Sequence, residues 1–162
     1  MNFKQLFSIT FISMSLVFGN FSYLIKDAQA QTCSSLPLVG GEGSQVKKTV
    51  SQPTIPGPFG IKIASNNWNT DWAVPGKKKF RRFIATISSE NGDSFDIKMF
   101  LKYSDETASE HYNNTNVFID QRKPLKIEAT PRIGDMPYQV NVFVGGLENL
   151  GHNYRVSVMG CV

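Results

Sequence analysis

The chain has 162 residues, of which 41% are hydrophobic and 19% are charged, and its formal net charge is +4. This length fits one globular domain, and so small a positive charge does not by itself indicate a nucleic-acid partner, so we expect none. With only two cysteines and two histidines, few side chains remain for a zinc centre.

The first thirty residues have the pattern of a secretory signal peptide. Lys4 precedes an apolar stretch, Leu6–Phe18, and the segment ends with Ala28 and Ala30 on either side of a glutamine, the small-x-small pattern that a signal peptidase accepts. We predict cleavage before Gln31, which leaves 132 residues with 15 basic and 12 acidic side chains. The predicted location is the periplasm or the extracellular space, with no stable membrane span after cleavage.

An uncleaved membrane anchor is the alternative interpretation of this segment. Leu6–Ile25 has about the length needed to span a bilayer, but polar residues dilute it. A lipoprotein signal is less favoured, because Ala30, Gln31 and Thr32 stand before Cys33 where such a signal needs leucine and then small residues.

Cys33 and Cys161 lie near the two ends of the mature chain. In an oxidising compartment we expect them to form a disulfide rather than to remain free thiols. A loop on the order of 100 residues gives roughly 4–5 kcal/mol of stabilisation in the chain-entropy model. Because the sequence has no Cys-x-x-Cys pattern, we expect no redox role.

Residues 31–58 form a segment rich in glycine and proline, in which only Val46–Val50 has the pattern of a short edge strand. From residue 59 onward the hydrophobic period is two, beginning with the alternation of Phe59–Ile63. We therefore expect residues 59–162 to form the folded core of the domain.

Residues 66–72 have the composition of a polar loop with two indoles. The alternation over residues 79–103, with Asn91 and Gly92 in the middle, predicts a β-hairpin. Residues 104–116 are polar, with a single helical turn expected around Ala108. Four more short strands follow, so the sequence predicts an all-β domain of about seven short strands, an antiparallel β-sandwich.

One C-terminal motif resembles a known family feature. Gly146-Leu147, then Gly151, then Tyr154–Val158 resembles the strand E–F corner of fibronectin type III and immunoglobulin-like sandwiches. The resemblance implies that the Tyr154 hydroxyl binds back to the preceding turn. A jelly roll, or a domain like the accessory sandwiches of bacterial exoenzymes, fits the strand pattern equally well.

Motifs for catalysis, cofactors and metals are missing from the sequence. His111 and His152 are not spaced to place two metal ligands on one helix face, and no Gly-x-Ser-x-Gly or phosphate-binding lysine loop occurs. Asp105, Glu106 and Glu110 are ordinary surface acids. We therefore expect no catalytic residues, no cofactor and no metal site.

Two neighbouring features are candidates for ligand binding. The first is a basic run with five cations in six positions, made of Lys77, Lys78, Lys79, Arg81 and Arg82. It is typical either of a solvated approach to a strand or of a site for an anionic surface. The second is the pair Trp68 and Trp72, which either fill the core or form an aromatic platform for sugars.

The sequence thus predicts an exported, noncatalytic binding module of the cell envelope or the extracellular space. Its expected partner is a polysaccharide or an anionic envelope surface, contacted through Trp68, Trp72 and Lys77–Arg82. A structural subunit of a surface assembly is the alternative. A small secreted hydrolase or an enzyme inhibitor is less favoured, and the oligomeric state is left open.

Overall fold

The structure, a computed structural model, describes residues 32–52 and 68–162 of the chain. Within these ranges it has nine β-strands and one short 3₁₀ helix, Leu147–Asn149. In chain order the strands are β1 Cys33–Ser35, β2 Gln45–Thr49, β3 Asn69–Ala73, β4 Arg82–Ser89, β5 Asp93–Lys102, β6 Ala108–Ile119, β7 Leu125–Ala129, β8 Gln139–Gly145 and β9 Asn153–Cys161.

The strands form two antiparallel sheets. In sheet A the order is β1-β9-β4-β7, and β2 also pairs with β9, further along the edge that β1 occupies. In sheet B the order is β3-β8-β5-β6. The prediction of an all-β, antiparallel domain is therefore confirmed.

One hydrophobic core lies between the two sheets. β4 alternates strictly, with Phe83, Ala85 and Ile87 buried and the residues between them half-buried. β5 alternates in the same way along Phe95–Leu101. Because successive side chains of a strand point to opposite faces, each sheet has one face in the core and one face outside.

The predicted hairpin over residues 79–103 is wrong. β4 pairs with β7 and β9 in sheet A, whereas β5 pairs with β6 and β8 in sheet B. The turn between them, in which Gly92 has a φ of 76°, crosses from one sheet to the other. Ser89 Oγ accepts the backbone N–H groups of Gly92 and Asp93 at 3.1 and 3.0 Å. A hairpin and a crossing connection show the same alternation, so the sequence could not separate them.

The segment expected to be polar loop with a helical turn at Ala108 is mostly strand. Ala108 begins β6, a twelve-residue strand that pairs only with β5 in the part of the chain that the structure describes. Of its residues only Ile119 is buried. An outer strand that buries so little has no hydrophobic period, so its sequence resembles a loop.

Tyr154 is a core residue of β9. It is 1% exposed, and its ring lies edge-on to Phe95 with the centroids 5.7 Å apart. Among the described residues its hydroxyl has no hydrogen-bond partner, so the tie to the preceding turn implied by the fibronectin resemblance is missing there. Burial raises the pKa of Tyr154 far above its ordinary value.

The N-terminal segment covers the edge where β9 and β3 lie. β1 places Cys33 opposite Cys161 on β9, and the two form the predicted disulfide. Leu38 then bridges to Trp72 of sheet B before the chain returns to sheet A as β2. β2 corresponds to the strand predicted at Val46–Val50.

Three predictions fall outside the described residues. They are the signal peptide at residues 1–30 with its cleavage site at Ala28, Ala30 and Gln31, the last part, residues 53–58, of the glycine- and proline-rich segment, and the alternating Phe59–Ile63. In residues 32–52 and 68–162, no helix has the length and apolar character needed to cross a membrane.

Candidate functional site

The two tryptophans do not share a polar loop, because the segment that follows Trp68 is strand β3. Trp72, on β3, is fully buried, and its indole Nε1 donates to the carbonyl of Ser44 at 3.0 Å. The interpretation of Trp72 as part of an exposed sugar platform is therefore wrong. Asn69 and Asp71 alternate with the buried Thr70 and Trp72. Because three of these four residues are polar, the sequence resembles a loop although the segment is a strand.

Trp68 is half-buried just before β3. Its ring lies edge-on to Phe143, with the centroids 5.6 Å apart, and its Nε1 donates to the carbonyl of Ser51 at 2.6 Å. The indole also covers Gly145 so closely that an added Cβ there would overlap it. Contacts from two other segments thus hold Trp68 in one orientation.

The basic run lies at the far end of β3 from Trp68. Lys77, Lys78, Lys79 and Arg81 are exposed in the connection between β3 and β4, and Arg82 is the first residue of β4. β3 has five residues, and a strand of that length separates the two features by roughly 17 Å. The structure therefore divides the predicted contact region into two places.

A pocket of about 360 Å³ opens beside the basic run. One wall comes from the β3–β4 loop and the other from the β7–β8 loop. Its lining residues are Lys79, Phe80, Pro131, Arg132, Gly134, Asp135 and Met136. Both loops lie at the end of the sheets where β4 begins and β7 ends, since Phe83 pairs with Ala129.

Phe80 fixes the β3–β4 loop to the core. It is 2% exposed, and its ring lies 5.6 Å from that of Phe83, centroid to centroid. The ring also lies over Gly160, where an added Cβ would come within 2.6 Å of it. Next to it, the Arg81 N–H donates to the carbonyl of Cys161 at 2.7 Å. With Phe80 pointing inward, its neighbours Lys79 and Arg81 are exposed.

The cations of this loop differ in their partners. Arg82 pairs with Glu128 at 2.7 Å, on the outside of sheet A. In contrast, Lys77, Lys79 and Arg81 have no carboxylate within 4.0 Å among residues 32–52 and 68–162. Lys79 lines the pocket, and Lys77 and Arg81 add positive charge to the same loop.

Arg132 is the best-fixed side chain of the pocket. Its guanidinium lies 4.0 Å from the ring centroid of Tyr103 and donates to Ser109 Oγ at 3.0 Å and Thr107 Oγ1 at 2.7 Å. Its backbone N–H donates to the Tyr103 hydroxyl at 3.0 Å. Hydrogen bonds from Thr107, with the Arg132 charge nearby, hold the pKa of Asp105 below its ordinary value. The β5–β6 turn thus supports this wall of the pocket.

A second candidate lies on the outer face of sheet B, where strand register aligns polar and aromatic side chains in rows. Cross-strand partners lie side by side on the same face of a sheet. The first row across β3, β8, β5 and β6 is Asp71, Asn141, Phe100 and Glu110. The second row is Asn69, Phe143, Lys98 and Asn113. We call these eight residues the aromatic face.

Side-chain contacts order the aromatic face. Asp71 Oδ1 accepts from Asn141 Nδ2 at 2.7 Å and from Lys102 Nζ at 3.2 Å. Lys98 Nζ lies 5.9 Å from the ring centroid of Phe143, within the range of a cation–π contact. Phe100 and Phe143 are both half-buried, so part of each residue remains exposed.

Sequence reasoning missed the aromatic face. Phe100 was visible as an apolar residue on the polar side of β5, between Lys98 and Lys102. Nothing in the sequence showed that Phe143 lies diagonally beside it, because that follows from the pairing of β5 with β8. This pairing register brings Phe100 and Phe143 together on one surface of sheet B.

Neither candidate has the composition of a metal centre. Among the described residues, no group of three or more His, Cys, Asp and Glu side chains is close enough to hold a metal ion. No protein-family model matches the chain, and a search of curated proteins finds no relative.

Proposed function

We propose that this chain is an exported, noncatalytic binding module that binds a polysaccharide across the aromatic face of sheet B. The observation that supports this best is the position of two half-buried rings, Phe100 and Phe143, among amide and carboxylate side chains. Aromatic rings stack on the apolar faces of sugar rings, while amides and carboxylates hydrogen-bond to the hydroxyls.

The dimensions of the face suit an extended chain better than a single sugar. Four strands cover roughly 14 Å, and residues two apart along a strand are separated by about 7 Å. The Asp71–Asn141–Lys102 contacts hold the polar groups in fixed orientations before a ligand arrives. Binding to such a face loses little side-chain entropy.

The proposal includes a finer assignment of the fold, a jelly-roll β-sandwich. From β2 onward, every connection except β5–β6 crosses between the sheets. Strands β2 to β9 thus form the sheets β2-β9-β4-β7 and β3-β8-β5-β6, the eight strands of a jelly roll. Immunoglobulin sheets instead hold their first two strands side by side.

Export is part of the same proposal. It rests on the signal-peptide pattern of residues 1–30, and the Cys33–Cys161 disulfide is compatible with an oxidising compartment. Cell fractionation that leaves the full-length, uncleaved chain in the cytosol would contradict it.

The test is binding of the oxidised protein to a panel of neutral polysaccharides by affinity electrophoresis, with calorimetry on oligosaccharides of any polymer that retards it. We expect Phe143→Ala to weaken binding about tenfold or more, because an aromatic stacking contact is lost. Emission from Trp68, whose ring lies 5.6 Å from Phe143, should shift when the ligand binds.

The matched control is Phe118→Ala. Phe118 is 64% exposed on β6 and lies opposite Ser94, outside the two rows. It removes an exposed phenylalanine from the same sheet without touching the aromatic face. Equal loss of binding in both variants, or no binding to any polymer by the native protein, would contradict the proposed function.

A further inference from the structure

We infer that the pocket between the β3–β4 and β7–β8 loops binds a carboxylate-bearing sugar of an acidic polysaccharide. The anion preference follows from the pocket itself. The choice of a sugar as the anion rests on the proposed function. The pocket is separate from the aromatic face, so the two sites can be tested independently.

The charges around the pocket favour an anion. Lys79 and Arg132 line it, and Lys77 and Arg81 stand on the same loop without a carboxylate partner in the described chain. Arg132 itself pairs with Asp105 at 3.4 Å. The preference for an anion therefore rests on Lys79 in the lining and on Lys77 and Arg81 nearby. A loop with several unpaired cations next to a cavity attracts anions and raises their local concentration.

The lining favours a ligand that also has an apolar face. Phe80 is buried beneath the loop, and Pro131 and Met136 add apolar surface on the opposite wall. A volume of about 360 Å³ lies at the small end of the range of ligand pockets. This combination suits one or two sugar rings better than an inorganic ion.

Asp135 narrows the choice of anion. Its carboxylate lines the same pocket as Lys79 and Arg132. It would repel a ligand with two or more charges close together, such as a phosphate monoester, but it can accept hydrogen bonds from hydroxyls. One carboxylate on a hydroxyl-rich ring matches both requirements.

Support from neighbouring elements makes the pocket a preformed site. Phe80 is anchored against Phe83, and Arg132 is held by Tyr103 and Thr107. The turn that follows Arg132 closes through the Asp135 N–H, which donates to the Arg132 carbonyl at 3.3 Å. Its third residue, Gly134, has a φ of 78°, a conformation that glycine adopts without strain.

The experiment is calorimetric titration of the oxidised protein with trigalacturonic acid and with its methyl ester at low salt. We expect binding of the acid and at least tenfold weaker binding of the ester, because esterification removes the charge. Lys79→Ala should weaken binding of the acid about tenfold, and Lys79→Arg should restore most of it.

The charge-matched control is Lys123→Ala. Lys123 is exposed in the turn between β6 and β7, at the opposite end of the sheets. An equal loss in Lys79→Ala and Lys123→Ala would show a diffuse charge effect and overturn the proposal. Equal affinity for the ester, or no binding of the acid by the native protein, would also overturn it.

A membrane headgroup is the competing anion. If Lys79→Ala weakens binding to vesicles containing phosphatidylglycerol and leaves trigalacturonic acid binding unchanged, the pocket is a lipid site and the inference is wrong. The Phe143→Ala variant separates this inference from the proposed function. It should retain trigalacturonic acid binding even if every neutral polysaccharide fails to bind the native protein.

Discussion

The aromatic face and the pocket between the β3–β4 and β7–β8 loops, which we call the basic pocket, are built in opposite ways. The face consists of strand residues whose positions follow from pairing register, and its carboxylate Asp71 is already satisfied by Asn141 and Lys102. The pocket consists of loop residues around one buried anchor, Phe80. Of its two cations, Arg132 pairs with Asp105 at 3.4 Å, whereas Lys79 has no carboxylate within 4.0 Å in the described chain.

This difference predicts different sensitivities. The backbone hydrogen bonds of the sheet position a site on paired strands. A single surface substitution there therefore removes a side-chain contact and leaves the strand positions unchanged. A loop site depends on the few side chains that attach the loop to the core. The first two of the following experiments change one region and use the other as their internal reference.

The largest effect is expected for Phe80→Ala. The native Phe80 side chain is 2% exposed and packs on Phe83 and Gly160, so its removal leaves a cavity in the core. Such truncations cost about 3–5 kcal/mol of unfolding free energy. Denaturant unfolding measures this loss, and calorimetry should show weaker trigalacturonic acid binding with unchanged polysaccharide binding at the aromatic face.

The control for this variant is Lys79→Ala, which removes an exposed neighbour and should change stability by less than about 0.5 kcal/mol. If Phe80→Ala kept native stability and native pocket binding, the anchoring role of Phe80 would be wrong.

A smaller effect is expected for Gly145→Ala. The new Cβ would overlap the Trp68 ring, so the indole must move away from Phe143. Overpacking of this kind costs about 1–3 kcal/mol. Thermal unfolding and tryptophan emission should both change, while the affinity of the basic pocket should not.

Gly76→Ala is the matched substitution, because an added Cβ at Gly76 has nothing within 4 Å. Unchanged emission and unchanged melting in Gly145→Ala would mean that Trp68 does not rest on this glycine.

The smallest effect is a pH dependence from His111 on β6, next to Glu110 of the aromatic face. Burial lowers the pKa of His111 from 6.5, and its Nε2 is buried without a hydrogen-bond partner in the described structure. Since the unfolded chain takes up this proton more readily than the folded one, stability should be full above pH 6.5 and fall as the pH drops below it.

Urea unfolding at pH 5 and pH 7.5 measures the decrease, and His111→Gln should reduce it. An identical decrease in both proteins would assign the pH dependence to other groups. Binding at the two sites is best compared above pH 7, where this contribution to stability is constant.

The sequence predicted the all-β class, the disulfide and the strand at Val46–Val50, because these follow from local pattern and from cysteine count. The predicted hairpin is instead a connection that passes from β4 in sheet A to β5 in sheet B. Phe83–Ile87 and Phe95–Leu101 would alternate in the same way in either arrangement. Partner choice depends on strands far away in the chain, which alternation does not encode.

The candidate sites were predicted less well for the same reason. The basic run was visible as a cluster of charges, but the pocket needs Arg132 and Met136 from a loop some fifty residues away. Trp68 and Trp72 are close in the sequence, yet one contacts Phe143 and the other lies in the core. Residues four apart on a strand share a face, but Trp68 lies just before β3 begins, so the alternation of the strand does not determine its position.

The disulfide has a mechanical consequence. Cys33 and Cys161 are bonded across β1 and β9, and just outside them the Val162 N–H donates to the carbonyl of Thr32 at 3.1 Å. A force that pulls on residues 32 and 162 therefore passes through one covalent bond. The sheets between the cysteines bear none of this tension, so a module tethered at these two points would keep its fold under load.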